Sequence, residues 1–404
     1  MASSDTDTVT FNASCLCRSS TFTLTWPRSS LPIPVRMCHC ELCRRTHGTL
    51  CLFHATSPPP SSTANMCTYK TSPSETRYFC ATCGSKMIDH SSSGAAGATK
   101  AGGGDGHGDG GRWSVSIAVL DAPEETWKYS EHIFVCSTLD GGFADWLVRV
   151  PGDPDDLPRC AMRDDSRLVP LGWRLGPLPG PGEKKTAKDG GEAERLRAHC
   201  MCDGVDFYIG RPGDKRGDEG EDPLAALPPS LRAADQSRFA GSLDACMSCR
   251  VAAGDPINAW VFVPLALMSA AASAAAAPQP YLLPLPDPAA IPSLGAAAPP
   301  TTQPTSPALK WFASSPDVRR FFCGTCGASV AYWVADRPGV VDVCAGLLEA
   351  RSGARAEEWV EWDVGRKPFD SQSAILKRLV KGVEEWGKKW AAERGMKVVE
   401  EAEG

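Results

Sequence analysis

The sequence carries no surplus of basic residues. Its 42 lysines and arginines face 48 aspartates and glutamates, a formal net charge of -6. That balance argues against a nucleic-acid partner held by bulk electrostatics, which requires a basic face. No apolar core of a secretory signal is present either: the chain opens on the acidic, polar stretch Met1-Ala2-Ser3-Ser4-Asp5-Thr6-Asp7, so an intracellular protein, cytoplasmic or nuclear, is expected. Long runs of large apolar side chains are also missing. Residues 256–286 hold no charge, but they are alanine-rich and interrupted by Pro264, Pro278, Pro280 and Pro284. Their strongly apolar part, Trp260-Val261-Phe262-Val263, has only the length of a strand, and no membrane span is expected.

What the chain does have is cysteine, 18 in 404 residues. That length suits two domains with linkers. In the intracellular setting expected here the thiols would stay reduced, and clustered cysteines then read as metal ligands rather than as a disulfide scaffold. The densest cluster is Cys38-His39-Cys40-Glu41-Leu42-Cys43-Arg44-Arg45-Thr46-His47-Gly48. A C-x-C running directly into a C-x-x-C can wrap one zinc ion with three thiolates. The fourth position then stays open, as it does in catalytic rather than structural zinc sites.

The surrounding sequence is β-rich and repeats itself. Phe22, Leu24 and Trp26 alternate with threonines after Cys15-Leu16-Cys17, a half-buried strand pattern. Leu50 to Phe53 reads as a short buried strand, and Trp113, Val115, Ile117 and Val119 as another. His132-Ile133-Phe134-Val135 reads likewise. Between them Arg77-Tyr78-Phe79-Cys80-Ala81-Thr82-Cys83-Gly84 is a zinc-knuckle sequence, its glycine freeing the loop to turn amides toward sulfur. Beyond residues 151–195, rich in Pro, Gly and charge and read as a linker, the landmarks return in order. Cys200-Met201-Cys202 answers Cys15 to Cys17, and Val205, Phe207 and Ile209 answer the first strand. Cys246-Met247-Ser248-Cys249-Arg250 answers Cys40 to Arg44. Trp260 to Val263 answers Leu50 to Phe53, and Arg320-Phe321-Phe322-Cys323-Gly324-Thr325-Cys326-Gly327 answers Arg77 to Gly84. Val341, Val343, Ala345 and Leu347 answer the next strand. Low-complexity insertions near residues 211–223 and 264–307 stretch the second copy, and 91–111 interrupts the first. From Ser371, Ile375, Leu379, Val383, Trp386 and Trp390 recur at helical spacing. They fit a helix packed across a domain, or one that binds a partner or dimerises, although Gly382 and Gly387 weaken it.

The order C-x-C, C-x-C-x-x-C-R, F-C-x-x-C-G resembles the glutathione-dependent formaldehyde-activating enzyme and centromere protein V family. The resemblance implies a mainly β fold: two tandem zinc-binding β-tent domains, at 1–150 and, in degenerate form, 196–365, followed by a helical tail at 366–404. It also implies two zinc sites per domain. A closed structural site falls on Cys15, Cys17, Cys80 and Cys83, and its counterpart on Cys200, Cys202, Cys323 and Cys326. The catalytic zinc falls on Cys38, Cys40 and Cys43. The second copy departs there, reading Asp244, Cys246 and Cys249. A carboxylate can ligate zinc, but with no replacement thiolate the site is expected to be weakened or lost.

The activity implied is that of a carbon–sulfur lyase acting on the adduct of an aldehyde with glutathione or another small thiol. A non-catalytic zinc-stabilised binding module is the alternative, in line with the centromere-protein branch. Three thiolates blunt the Lewis acidity of zinc, so a nearby cation would help. Arg44 and Arg45 are candidates that could also grip a glutathione carboxylate, or simply a solvated pair. His47 reads as a loop histidine facing water, with a proton shuttle as the sharper alternative, and His39 as pointing away from the metal. Cys67 has no partner at metal spacing. Cys51, Cys136, Cys160 and Cys344 read as small buried hydrophobes.

Overall fold

The computed structural model describes residues 7–92, 111–163, 167–177, 195–214, 222–270, 279–287, 289, 299–364 and 376–395. Most of the 91–111 insertion, the later half of the linker, residues 215–221, much of the Ala/Pro tract and the start of the tail up to Ile375 lie outside them.

Many of the alternating apolar residues fall in strands, but Ile117, Val119, Ala345 and Leu347 lie in 3-10 turns, and Phe134 and Val135 lie beyond the strand that ends at Ile133. The first copy comprises β1 (Thr8–Ser14), β2 (Thr21–Pro27), β3 (Ile33–Cys38), α1 (Glu41–His47), β4 (Leu52–Ser57), β5 (Met66–Lys70), β6 (Glu75–Cys80), β7 (Lys86–Ser91), β8 (Arg112–Ser116) and β9 (Trp127–Ile133). The second comprises β10 (Leu196–His199), β11 (Asp206–Ile209), β12 (Phe239–Asp244), α2 (Met247–Ala253), β13 (Asn258–Pro264), β14 (Met268–Ser269), β15 (Leu309–Ser315), β16 (Val318–Cys323), β17 (Ser329–Val334), β18 (Val340–Cys344), β19 (Leu348–Glu349) and β20 (Val360–Asp363). The chain is mainly β. Each copy builds a seven-stranded mixed sheet, ordered β5-β6-β7-β8-β4-β3-β9 in the first and β15-β16-β17-β18-β13-β12-β20 in the second. The two orders correspond strand for strand, down to the parallel pair at one edge, β3 with β9 and β12 with β20. The hairpins β1-β2 and β10-β11 correspond as well.

The two copies share one contiguous buried core and meet reciprocally. Helix α1 packs on the 3-10 turn Ala345–Leu347 of the second copy, and α2 on the matching turn Ile117–Val119 of the first. Gly84 sits against the Phe322 ring and Gly327 against the Phe79 ring, with φ of 76° and 77°. This is the self-complementary geometry of a two-fold dimer interface, here built within one chain. A side chain at either glycine needs both an unfavourable φ and the space of an aromatic ring.

The tail forms helix α3 (Lys377–Glu393) and ties both copies together. Its first turn donates Arg378 and Leu379 amides to the Glu124 carboxylate of the first copy, at 2.8 and 2.9 Å. Trp390 meets Trp146 edge-on at 5.6 Å, and Trp146 in turn packs on Trp362 of the second copy at 5.2 Å. Gly387, which weakens the helix by propensity, lies where a Cβ would collide with the Val364 carbonyl. Close approach, not helix propensity, accounts for it. The first half of the segment read as a linker packs on the first copy: the His132 amide donates to the Pro158 carbonyl at 2.8 Å, and the Cys160 amide to that of His132 at 2.8 Å. Among the described residues no helix is long and apolar enough to cross a membrane.

Gly327→Ala is expected to destabilise the protein by about 2 kcal/mol or more, from the left-handed backbone and from overpacking on Phe79. Denaturant unfolding checks this; an unchanged midpoint would show that the reciprocal ring contact contributes little.

Candidate metal centres

The β1–β2 turn and the β6–β7 turn of the first copy bring Cys15, Cys17, Cys80 and Cys83 together, and the equivalent turns bring Cys200, Cys202, Cys323 and Cys326 together. Sulfurs lie 3.5 Å apart for Cys15–Cys17, 3.6 Å for Cys17–Cys80, and 3.5 Å for both Cys200–Cys202 and Cys202–Cys323. A tetrahedron of 2.3 Å zinc–sulfur bonds has an edge of about 3.8 Å, so the donor sets fit zinc in both element and spacing. Backbone amides point at the sulfurs: Ser20 to Cys15 at 3.3 Å, Thr82 to Cys80 at 3.4 Å and Val205 to Cys200 at 3.4 Å. Such bonds stabilise thiolates.

The third cluster is the C-x-C-x-x-C stretch. Cys38 ends β3, Cys40 immediately precedes α1, and Cys43 lies in its first turn. The three sulfurs share one site, with Cys38 and Cys40 3.6 Å apart. Hydrogen bonds from Cys38 and Cys43 push Cys40 down to about 3, while the same crowding holds Cys38 well above the usual thiol range. A charge is thus ready on one sulfur, and the other two need a bound cation to ionise.

The cation beside the three sulfurs is Arg77, not Arg44 or Arg45. Its Nη2 donates to Cys43 Sγ at 3.5 Å, and its Nη1 pairs with Asp89, which also accepts from His54 Nδ1 at 3.0 Å. The signal was present, because both knuckle sequences begin with this arginine: Arg320 Nη1 likewise donates to Cys249 Sγ at 3.4 Å. Arg44 and Arg45 are only 5% and 4% exposed. Arg44 donates to the His39 carbonyl at 3.2 Å, and Arg45 crosses the interface to the Leu347 carbonyl at 3.0 Å. They hold the fold rather than facing a ligand.

His47 does not face water. It is 1% exposed, and its Nδ1 lies 3.3 Å from Asp255 Oδ2 of the second copy. Asp255 also accepts the Phe53 amide at 3.2 Å. His39 does turn from the sulfurs, into a buried chain. His132 Nε2 donates to the Leu147 carbonyl at 2.8 Å, so its Nδ1 accepts from His39 Nε2 at 2.9 Å. The parallel register of β3 with β9 makes this possible, and it braces the loop between Cys38 and Cys40. Cys51 is buried as expected and lies 3.5 Å from His39 Nε2. Cys160 and Cys344 are buried too, whereas Cys136 and Cys67 are half-buried.

In the second copy Asp244 stands where Cys38 does, and its Oδ1 accepts the Cys246 amide at 2.7 Å. Burial and the neighbouring Cys246 push its carboxyl up to about 7. Cys246, Cys249, Ser248 and Arg320 line a cavity of about 460 Å³.

Residues 10–137 match the family model described as glutathione-dependent formaldehyde-activating enzyme. The match spans the first copy; the second is tied to it by its corresponding sheet and cysteine positions. No curated protein and no solved structure matches the chain.

His132 is pushed down to about 4, and His47 well below its usual range, both by burial first. In the unfolded chain each takes a proton near pH 6.5; in the fold each stays neutral. Their contribution to stability is therefore complete above pH 6.5 and is lost as pH falls below it, by about 1.4 kcal/mol per pH unit per histidine. Urea unfolding between pH 7 and 5 checks this. His132→Asn is expected to flatten the acid slope; an identical slope in the variant would contradict it.

Proposed function

We propose that the first copy is a zinc-dependent carbon–sulfur lyase domain acting on the adduct of a small thiol, such as glutathione, with an aldehyde. Zinc is the metal of the four-cysteine sets Cys15/Cys17/Cys80/Cys83 and Cys200/Cys202/Cys323/Cys326, which act as structural staples, and of Cys38, Cys40 and Cys43, which leave a position for substrate. The observation that carries the reading is the three-sulfur cluster within the stretch that matches the formaldehyde-activating family, separate from a complete four-sulfur set.

The reaction forms or breaks one carbon–sulfur bond. In the forming direction the thiol sulfur adds to the aldehyde carbon, and the thiol proton ends on the former carbonyl oxygen. Zinc bound at the three cysteines would supply the thiolate state of the incoming sulfur and polarise the oxygen. The chain supplies the rest. Arg77, donating to Cys43 Sγ, offsets part of the negative charge that this sulfur would carry as a ligand. The His39–His132 pair fixes the loop between the first two sulfurs. Arg44 locks α1 to that loop by donating to the His39 carbonyl.

A second reading, a zinc-stabilised binding module without turnover, is favoured by one observation. The arginines best placed by sequence to hold a glutathione carboxylate are buried in packing contacts.

Cys40→Ser separates the two. The lyase reading expects the variant to stay folded, lose one zinc equivalent, and exchange formaldehyde with glutathione at the uncatalysed rate in NMR exchange measurements. Equal exchange rates in wild type and variant, with the zinc equivalent lost, would leave only the binding module.

A further inference from the structure

We propose that Cys246 and Cys249 of the second copy form a thiol–disulfide exchange site for small disulfides, glutathione disulfide among them. The inference stands apart from turnover in the first copy. Three observations carry it together.

The first is the loss of the third sulfur. Cys38 closes the first-copy cluster, but Asp244 in its place has one carboxylate oxygen committed to the Cys246 amide at 2.7 Å. The carboxylate braces the turn, and two sulfurs remain. The second is their pairing. The Cys249 amide donates to Cys246 Sγ at 3.5 Å, and the Ser248 hydroxyl lies 3.5 Å from the same sulfur. Two cysteines three positions apart, one preceding α2 and one in its first turn, can close a disulfide locally, without moving either strand.

The third is charge. Arg320 is 8% exposed, and its Nη1 donates to Cys249 Sγ at 3.4 Å while Nη2 donates to Ser248 Oγ at 3.0 Å. Arg77, its equivalent, is neutralised by Asp89. The position matching Asp89 is Tyr332, whose ring lies 5.0 Å from the guanidinium. Among the described residues no carboxylate forms an ion pair with Arg320. Nearby Arg337 is different, bound through both nitrogens to Asp342 at 2.6 and 2.7 Å. Arg320, with no ion-paired carboxylate of its own, offsets negative charge at Cys249, and it lines a cavity of about 460 Å³ together with both thiols, Asp244 and the Arg337–Asp342 pair. Trp260 and Tyr332 give that cavity apolar walls.

The exchange proceeds in two displacements. Cys246 thiolate attacks one sulfur of R–S–S–R, forming a mixed disulfide and releasing RS⁻, which takes up the proton lost by Cys246. Cys249 thiolate then attacks Cys246 Sγ, breaking the mixed disulfide. The second RS⁻ leaves and takes the Cys249 proton. The two protein thiols are oxidised to one disulfide, and the small disulfide is reduced to two thiols.

The test uses the full-length, zinc-containing protein treated with glutathione disulfide, followed by non-reducing peptide mapping and zinc analysis. The expected result is a Cys246–Cys249 disulfide, with no zinc released. Cys249→Ser should trap one glutathionyl group on Cys246, and Arg320→Gln should slow the reaction by about tenfold or more. Two free thiols at 246 and 249 after treatment would overturn the proposal. So would the loss of one zinc equivalent on replacing Cys246 and Cys249 by serine, which would make Asp244 a metal ligand instead.

Discussion

The reciprocal packing of the two copies is the contact on which the rest depends. Glycine faces phenylalanine in both directions, Gly84 on Phe322 and Gly327 on Phe79, and each copy's short helix rests on a turn of the other. Each sheet alone would leave that face to water. Joined, they bury one core and place polar side chains of α1 in a dry interior, where buried polar groups need partners. Arg45 finds one on Leu347 and His47 finds one on Asp255. The second copy is therefore structural support for the first site, whatever chemistry it carries of its own.

Joining two copies in one chain also allows them to diverge. In the first, Arg77 links the three-sulfur cluster to Asp89, which also accepts from His54. In the second, the arginine is retained, but the first sulfur has become Asp244, and by strand register Tyr332 occupies the place of Asp89 and Trp260 that of His54, four residues on from the Leu50 that the landmark order pairs it with. The same turn geometry then holds two sulfurs beside an arginine that, among the described residues, forms no ion pair with a carboxylate. A homodimer of identical subunits would carry the same site twice; the fused pair carries two kinds.

Much of the architecture was legible in the sequence, because cysteine pairs and alternating strands are local signals. Landmark order alone gave the repeat, and the two sheets share one strand order. The knuckle glycines and the starting arginines were legible too, though only the structure shows Arg77 reaching Cys43. What could not be read depends on long-range register. His132 meets His39 through a parallel edge pair nearly a hundred residues apart, and Asp255 reaches His47 across the copies. Arg44, Arg45 and His47 look like solvent-facing residues, since polarity is all that a seven-residue helix displays. Their burial is decided by the surface that closes over them. Gly387 misleads for the same reason: its helix propensity is poor, but only a glycine fits beneath Val364.

The central claim is that cysteine sulfur, organised as two closed sets and one open set, holds zinc in this protein. Zinc X-ray absorption spectroscopy of the full-length protein tests it most directly. The eleven cysteines of Cys15, Cys17, Cys80, Cys83, Cys200, Cys202, Cys323, Cys326, Cys38, Cys40 and Cys43 would give an average first shell dominated by sulfur at about 2.3 Å, with a minor nitrogen or oxygen component from the open position. A first shell made mainly of nitrogen and oxygen, or protein free of zinc when purified without chelator, would contradict the account.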